Sequence, residues 1–520
     1  MRNPTLSSLP KYKLALALSL LCGCDSLWSG FAKDDPSSCG SKDSQVVCSF
    51  PKICNQVSGQ CELPSVIPQV GLEYASVAPN VVPFGGGSAV DVRGRGFTKD
   101  TVIKFAGQAL QQTTLNDAGD LIHGTVPRSP NRCGLVDIGL SRADGAQLQK
   151  EAQLRYVLEP LSAGNTGLLG LVPNLPNDIL TANMDGDPNR RPDLVFSHDR
   201  GFSVLMNQLG QPPRLLDTPL PDNITERVAV GRVTNLNLPD VIVFMPSAKQ
   251  IQVYSNDGNS SKYSPNPTAV LDVDSGAMVT EIHTVDLNRD GRDEIVASVV
   301  DGAGNGVLYS YTLSAPPITV VRDTYIPQAM GPLYVVIADF DGDSSPDVIT
   351  ASKVGLKKYT AIGTKLGASV PYSLGGTVPG GIVAGDWDND GKMDLAVLHK
   401  DDQKVSFYRN ETTFKLTATV PTLSGIDLMR TLRAQAVDVN CDGLTDLLVN
   451  RGLTLNGDLS VLLNKGNGSF RPAIPINTQG YAGGPFLVLD LNQDTMPKLI
   501  TRGNPTDSTS KVNISPLGTP

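Results

Sequence analysis

Asp386, Asp388, Asp390 and Asp394 fall at positions 1, 3, 5 and 9 of the phrase DWDNDGKMD, with Gly391 at position 6. Alternate residues of a tight turn aim their oxygens into one space, and the glycine permits the sharp reversal. The donors are carboxylate and backbone oxygens, so the expected occupant is a hard cation taking six to eight oxygens at about 2.3–2.6 Å, namely Ca²⁺. The same spacing recurs in Asp438, Asn440, Asp442 and Asp446, and in Asp339, Asp341, Asp343 and Asp347, where Ser344 replaces the glycine. Asp286, Asn288 and Asp290 are followed by Glu294, a longer ninth residue that still reaches. Three further phrases are damaged. Asn183, Asp185 and Asp187 run into a two-residue insertion before Asp193, and Asp490, Asn492 and Asp494 lead to Lys498 at position 9, so both are weaker candidates. In the remaining one Arg232 and Leu236 displace ligands, no metal is expected, and the Arg232 guanidinium is expected beside Asp240.

These loops must be held by strands. Each lies between an apolar run and a polar-Asp-apolar run, as in IVAGDWDNDGKMDLAVL, and the first loop residues recur every 47 to 54 positions. A period near 50 accommodates four short strands, the size of a propeller blade. An EF-hand would need Glu at position 12 and flanking helices, whereas Val397 and Ala297 stand there between strand-like runs. The array resembles the FG-GAP/VCBS repeats of integrin α-subunit heads and many bacterial surface proteins. That resemblance covers about 165–520 and implies a seven-bladed β-propeller with about four good calcium sites of structural role. Little chain remains after the seventh loop, so residues near 166–173 are expected to supply the outer strand of the last blade, which removes an unpaired edge.

The chain before the repeats reads as export and spacing. Arg2, Lys11 and Lys13 precede the apolar run from Leu14 to Cys24, too short for a spanning helix and suited to a signal peptide over 1–23. Leu21-Cys22-Gly23-Cys24 resembles a lipobox with Cys24 as the lipidated residue, which implies a membrane anchor and a bacterial cell-envelope location. Asp25 leaves the choice between outer and inner membrane open, with the outer membrane or cell surface favoured. Residues 24–38 lack periodicity and read as a tether. Cys39, Cys48, Cys54 and Cys61 suit two disulfides in a small module over 39–62, and the absence of a C-x₂-C pair or a nearby His argues against zinc. From 64 to 158, alternating strands are separated by Gly and Pro turns. Pro79, Gly86, Gly94, Phe97 and Pro127 resemble the IPT/TIG signature, which implies an immunoglobulin-like β-sandwich acting as a spacer. The expected fold class is therefore all-β, a seven-bladed propeller preceded by that sandwich.

Composition narrows the partners. The formal net charge is −9 and becomes about −12 once the basic leader is removed, which argues against nucleic acid. His123, His198, His283 and His399 fall in different units and are expected to be ordinary surface or turn residues, and no nucleophile elbow, P-loop or H-E-x-x-H appears. Cys133 and Cys441 have no partner evident from spacing and would pair only if the fold brought their Cα atoms within about 7 Å. The favoured reading is a non-catalytic envelope scaffold binding a protein or glycan. A hydrolase or lyase of extracellular polymers and an assembly subunit are the alternatives.

Overall fold

The computed structural model describes residues 53–55, 60–62 and most of 71–517, with short connecting segments outside the description, of which 420–432 is one. The leader, Cys24, Cys39 and Cys48 lie outside the described residues. Cys54 and Cys61 stand opposite each other in a two-stranded antiparallel ladder. Leu72–Pro520 forms one unit by its contacts, set apart from Met1–Gly71. The chain is all-β, and among the described residues no helix is long and apolar enough to cross a membrane.

Residues 73–157 build two sheets. One pairs Glu73–Ala78, Ala89–Arg95, Leu121–Thr125 and Gln111–Leu115; the other centres on Gly134–Ser141 and Gln147–Val157. Alternation places Val90 and Val92 inside, where they meet Ile103, Phe105, Ile138, Leu154 and Tyr156 in one core. Gly94 has a steric reason: a Cβ there would stand 2.1 Å from the Glu73 carbonyl and 2.5 Å from the Phe97 ring.

Beyond Gly167 the described residues make seven antiparallel sheets in succession. Their first strands, Pro176–Ala182, Val228–Gly231, Met278–Val285, Tyr334–Ala338, Pro379–Gly385, Ala434–Val437 and Phe486–Leu489, touch in sequence order, and the last touches the first. This closed cycle is the β-propeller. The second strands are buried along their length, as in Asp394–His399, because sheets cover both faces; this explains their continuous apolar runs. Gly167–Leu168 pairs with Val512–Pro516, so the segment before the first sheet completes the last one.

The two-sheet domain docks on the sixth and seventh blades. Phe84, Cys133 and Leu158 share a core with Val439, Leu448, Leu463, Leu499 and Leu517. Leu158 donates its N–H to the Asn440 carbonyl at 2.8 Å, and the Arg155 guanidinium donates to the Cys441 carbonyl at 3.1 Å. Cys133 and Cys441 form a disulfide across this contact, their Cα atoms 5.7 Å apart. Spacing along the chain could not reveal that pair, because 308 residues separate its members.

Candidate metal centre

Every second strand begins at the residue that closes its loop, the ninth position or, in the first loop, the equivalent residue after the two-residue insertion: Asp193, Asp240, Glu294, Asp347, Asp394, Asp446 and Lys498. The six acidic side chains there are nearly or wholly buried. Each takes the amide N–H of an apolar loop residue that packs inward: Met184, Val233, Leu287, Phe340, Trp387 and Val439. The ninth residue thus ties the loop to the strand whether or not a cation is present. Burial, opposed by these bonds, pushes its pKa up, to about 6 in Asp193 and Asp394, about 7 in Glu294 and about 8 in Asp446.

Position 1 cradles the turn. Asp386 accepts the N–H groups of Asp390 and Gly391 at 3.1 and 2.9 Å, and Asp286, Asp438 and Asp490 repeat the pattern. In the fourth loop Asp339 accepts from Gly342 and Ser344. Ser344 keeps the left-handed conformation of the glycine it replaces, at φ 65°, while Gly391 has φ 84°. Position 5 caps the end of the turn: Asp290, Asp343, Asp390, Asp442 and Asp494 each accept an amide two residues on. Asn288 and Asn440 hold the Asp290 and Asp442 amides in the same manner. In the first loop Asp185 receives Asp187 and Gln208, Asp187 caps Asn189, and Asn183 donates to the Asp187 carbonyl. Asn492 offers its carbonyl to Arg191 of the first blade.

Among the described residues, three acidic side chains converge within 4.8 Å in two loops: Asp339, Asp341 and Asp347 in the fourth, and Asp386, Asp388 and Asp394 in the fifth. Their neutralisation differs. In the fourth, the Lys358 ammonium lies 2.6 Å from Asp341 and 2.9 Å from Asp347, with its side chain only 7% exposed. Burial opposes the Lys358 charge, but its hydrogen bonds to Asp341 and Asp347 outweigh this and raise its pKa. In the fifth, the Asp388 side chain is 5% exposed and neither oxygen receives a hydrogen bond. Its nearest counter-charge is the half-exposed Arg409 guanidinium, against the carboxylate but out of hydrogen-bond alignment. A cavity of about 60 Å³ borders Asp388 and Asp394, room for a cation. A buried carboxylate without a hydrogen bond, beside two others and met only by an arginine at the rim, is an arrangement that a hard cation satisfies.

The structure also supplies a part that spacing did not single out. An asparagine ends the third strand region in four blades, and Asn207, Asn256, Asn410 and Asn464 each donate backbone N–H to the ninth residue, at 2.6, 3.0, 2.7 and 2.8 Å. The side-chain amides of Asn207, Asn256 and Asn410 then reach a loop carbonyl of the preceding blade, Leu491, Met184 and Phe340 respectively. Its sequence signal is an Asn 14 to 18 residues beyond the ninth position.

Two expectations need correction. Asp240 is held by the amides of Val233, Thr234 and Asn256 and by the Thr234 hydroxyl, not by Arg232. Arg232 is exposed, and its charge lies beside Asp293. His198 and His399 are fully buried rather than surface residues. His198 Nε2 lies 3.0 Å from Ser203 and 3.2 Å from Asp217, while its Nδ1 accepts the Arg200 N–H. That acceptor role puts the proton on Nε2 of the neutral ring, and the Ser203 hydroxyl already donates to Asp217 at 2.6 Å. The trio therefore lacks the base that a nucleophilic serine requires. His283 is half-buried beside Glu281, and exposed His123 pairs with Asp91.

Residues 386–449 and 438–501 match the FG-GAP-like repeat family. The two overlapping matches begin on Asp386 and Asp438, the first residues of the fifth and sixth loops, so the repeat frame coincides with the acidic turns. No curated protein matches the chain. Among solved structures, an auxiliary nutrient-binding protein from Bacteroides ovatus is 12% identical, aligning 87% of this chain with 99% of that one at a TM-score of 0.45. An Agrocybe aegerita lectin recognising non-reducing terminal N-acetylglucosamine is 15% identical over 68% of this chain and 90% of its own, at 0.40. A Bacteroides thetaiotaomicron protein described as a putative phosphatase is 11% identical over 87% and 98%, at 0.38. At these similarities none of their properties carries over to this chain.

Proposed function

We propose that this protein is a non-catalytic binding scaffold of the bacterial cell envelope, stabilised by calcium and held to the membrane through lipidated Cys24. The observation that carries the calcium reading is the fifth loop, where buried Asp388 has no hydrogen-bond donor and lies with Asp386 and Asp394 around one space. Asp386, Asp388 and Asp394 would hold the ion, which would neutralise their charges and tie the first two strands of the blade together. The sixth loop, with Asp438, Asn440, Asp442 and Asp446, and the third, with Asp286, Asn288, Asp290 and Glu294, are secondary sites on this reading. Residues 64–158 serve as an immunoglobulin-like spacer, disulfide-tied to the propeller, and residues 39–62 as a small disulfide module beside the anchor. The ring offers an exposed face of loops to a protein or glycan, without a part in bond-making.

Thermal unfolding with calcium or chelator tests the metal. Calcium should raise the midpoint of the wild type, and Asp388→Asn should remove most of that rise while leaving the chelated protein no less stable. An unchanged calcium response in Asp388→Asn would place the ion elsewhere. Recovery of the intact lipoprotein from crosslinked envelopes tests the scaffold: one stable protein or glycan partner is expected, whereas polysaccharide released as shortened products would show an enzyme instead.

A further inference from the structure

We propose that the fourth loop is a cation site already filled by the chain itself, with the Lys358 ammonium standing where a divalent ion stands in the fifth, so that the fourth blade binds no metal. This rests on the calcium reading of the fifth loop only for the comparison, since the contacts of Lys358 stand independently. In each blade the residue two beyond the ninth position pairs with a third-strand residue. Those partners are Val204, Val253, Ser310, Lys358, Phe407, Val461 and Ile514. Six are uncharged and one is lysine.

A lysine at such a position has to account for its charge, because an ammonium removed from water costs free energy unless it is paired. Lys358 meets that demand within its own blade by reaching Asp341 at 2.6 Å and Asp347 at 2.9 Å. These are two of the three carboxylates that converge there, the loop positions 3 and 9 that would ligate an ion. A divalent cation bound to the same oxygens would sit against the ammonium and would have to expel it from a nearly buried position. Phe407, at the equivalent place in the fifth blade, instead packs on Trp387 and Phe470, so Asp394 has no buried ammonium and Asp388 meets only the half-exposed Arg409 guanidinium from the rim. The fourth loop thus carries the same acidic spacing with a tethered monovalent cation, whose presence does not depend on the calcium concentration outside the cell.

The test is calcium stoichiometry by equilibrium dialysis on the exported chain, wild type against Lys358→Met, with thermal unfolding in parallel. Lys358→Met should bind one more ion per chain than wild type, melt lower in chelator and recover in millimolar calcium. Adding Asp341→Asn to Lys358→Met should abolish the extra ion. Equal stoichiometry in wild type and Lys358→Met, at whatever value, overturns the proposal. A wild type binding no ion beside a Lys358→Met chain binding one would sink the fifth-loop reading and leave this one standing. Should Lys358→Met fail to fold, the wild type still decides by reductive methylation and mass spectrometry. Lys358 should be protected equally with and without calcium, and labelling that calcium promotes would show that the ion displaces it.

Discussion

The fourth and fifth blades carry the acidic phrases DFDGDSSPD and DWDNDGKMD, alike at positions 1, 3, 5 and 9. In both, the first residue cradles the turn amides, the ninth is buried at the head of the second strand, and three carboxylates converge. What differs is supplied from outside the phrase. The third strand gives the fourth loop a buried ammonium and gives the fifth an aromatic side chain, with an arginine at the rim that keeps half its surface in water. Acidic spacing therefore specifies the shape of the loop, while its charge balance is set by a residue paired across the sheet. Loops of this kind should be compared by blade, not by motif.

The largest expected effect separates the two ninth residues. Asp394→Ala leaves the Trp387 and Asn410 amides without their acceptor and removes one side of the proposed cage. With each unmade buried bond costing about 1–3 kcal/mol, the loss should reach about 3–5 kcal/mol in calcium and be smaller in chelator. Asp347→Ala should destabilise by the same amount in calcium and in chelator, since Lys358 rather than an ion is its partner. Urea unfolding of both variants, with and without calcium, measures the contrast. A calcium-dependent loss in Asp347→Ala would erase the distinction between the blades.

A middle-sized effect comes from the asparagine that joins them. Asn410 donates its side-chain amide to Phe340 of the fourth loop and to the carbonyl of Met393 in its own. The residue at the same register in the fourth blade is Ala361, which cannot do this. Asn410→Ala should cost about 1–2 kcal/mol, two ordinary hydrogen bonds, with the backbone bond to Asp394 retained. Hydrogen exchange should show faster opening of the fourth loop than of the sixth. Equal protection in both would mean that Asn410 does not couple neighbouring blades.

The acidic spacing, the recurrence near 50 residues and the completion of the last sheet by residues ahead of the first were legible, because each repeats or complements something local. Gly94 and Phe97 were legible for the same reason: they meet within one turn of chain. What escaped was set by pairing between strands or between domains. Lys358 lies 17 residues from Asp341 and looks like any exposed strand lysine until the register places it inward. Cys133 and Cys441 are joined only because the two-sheet domain docks on the sixth loop. His198 and His399 follow apolar runs and resemble turn residues, yet both are buried at the end of a second strand and hydrogen-bond to Ser203 and Ser406 of the paired third strand. Arg232 stands at a ligand position of its loop, which suggests a guanidinium in the place of the cation beside Asp240, whereas backbone amides satisfy that carboxylate.

The smallest effect is that of pH, and its sign follows from burial. Asp394 is pushed up to about 6, and Asp446, with the third-loop Glu294, to about 8 and about 7. Their folded values lie above the unfolded carboxylate range, near 4. Between about pH 4 and pH 8 the folded chain holds protons that the unfolded chain has released, so stability falls as pH rises through that window. Calcium opposes this, because a cation favours the ionised carboxylate and binding expels its proton. The chelated protein should therefore melt a few degrees higher at pH 5 than at pH 8, and calcium should shrink that gap. Asp446→Asn should flatten the chelated profile most, whereas the fourth blade should contribute less, because burial raises the Asp347 pKa but its hydrogen bond and charge contact with Lys358 oppose that rise. A chelated profile whose midpoint rises from pH 5 to pH 8 would mean that these carboxylates are already ionised without calcium, and the fifth loop would then need a cation no more than the fourth does.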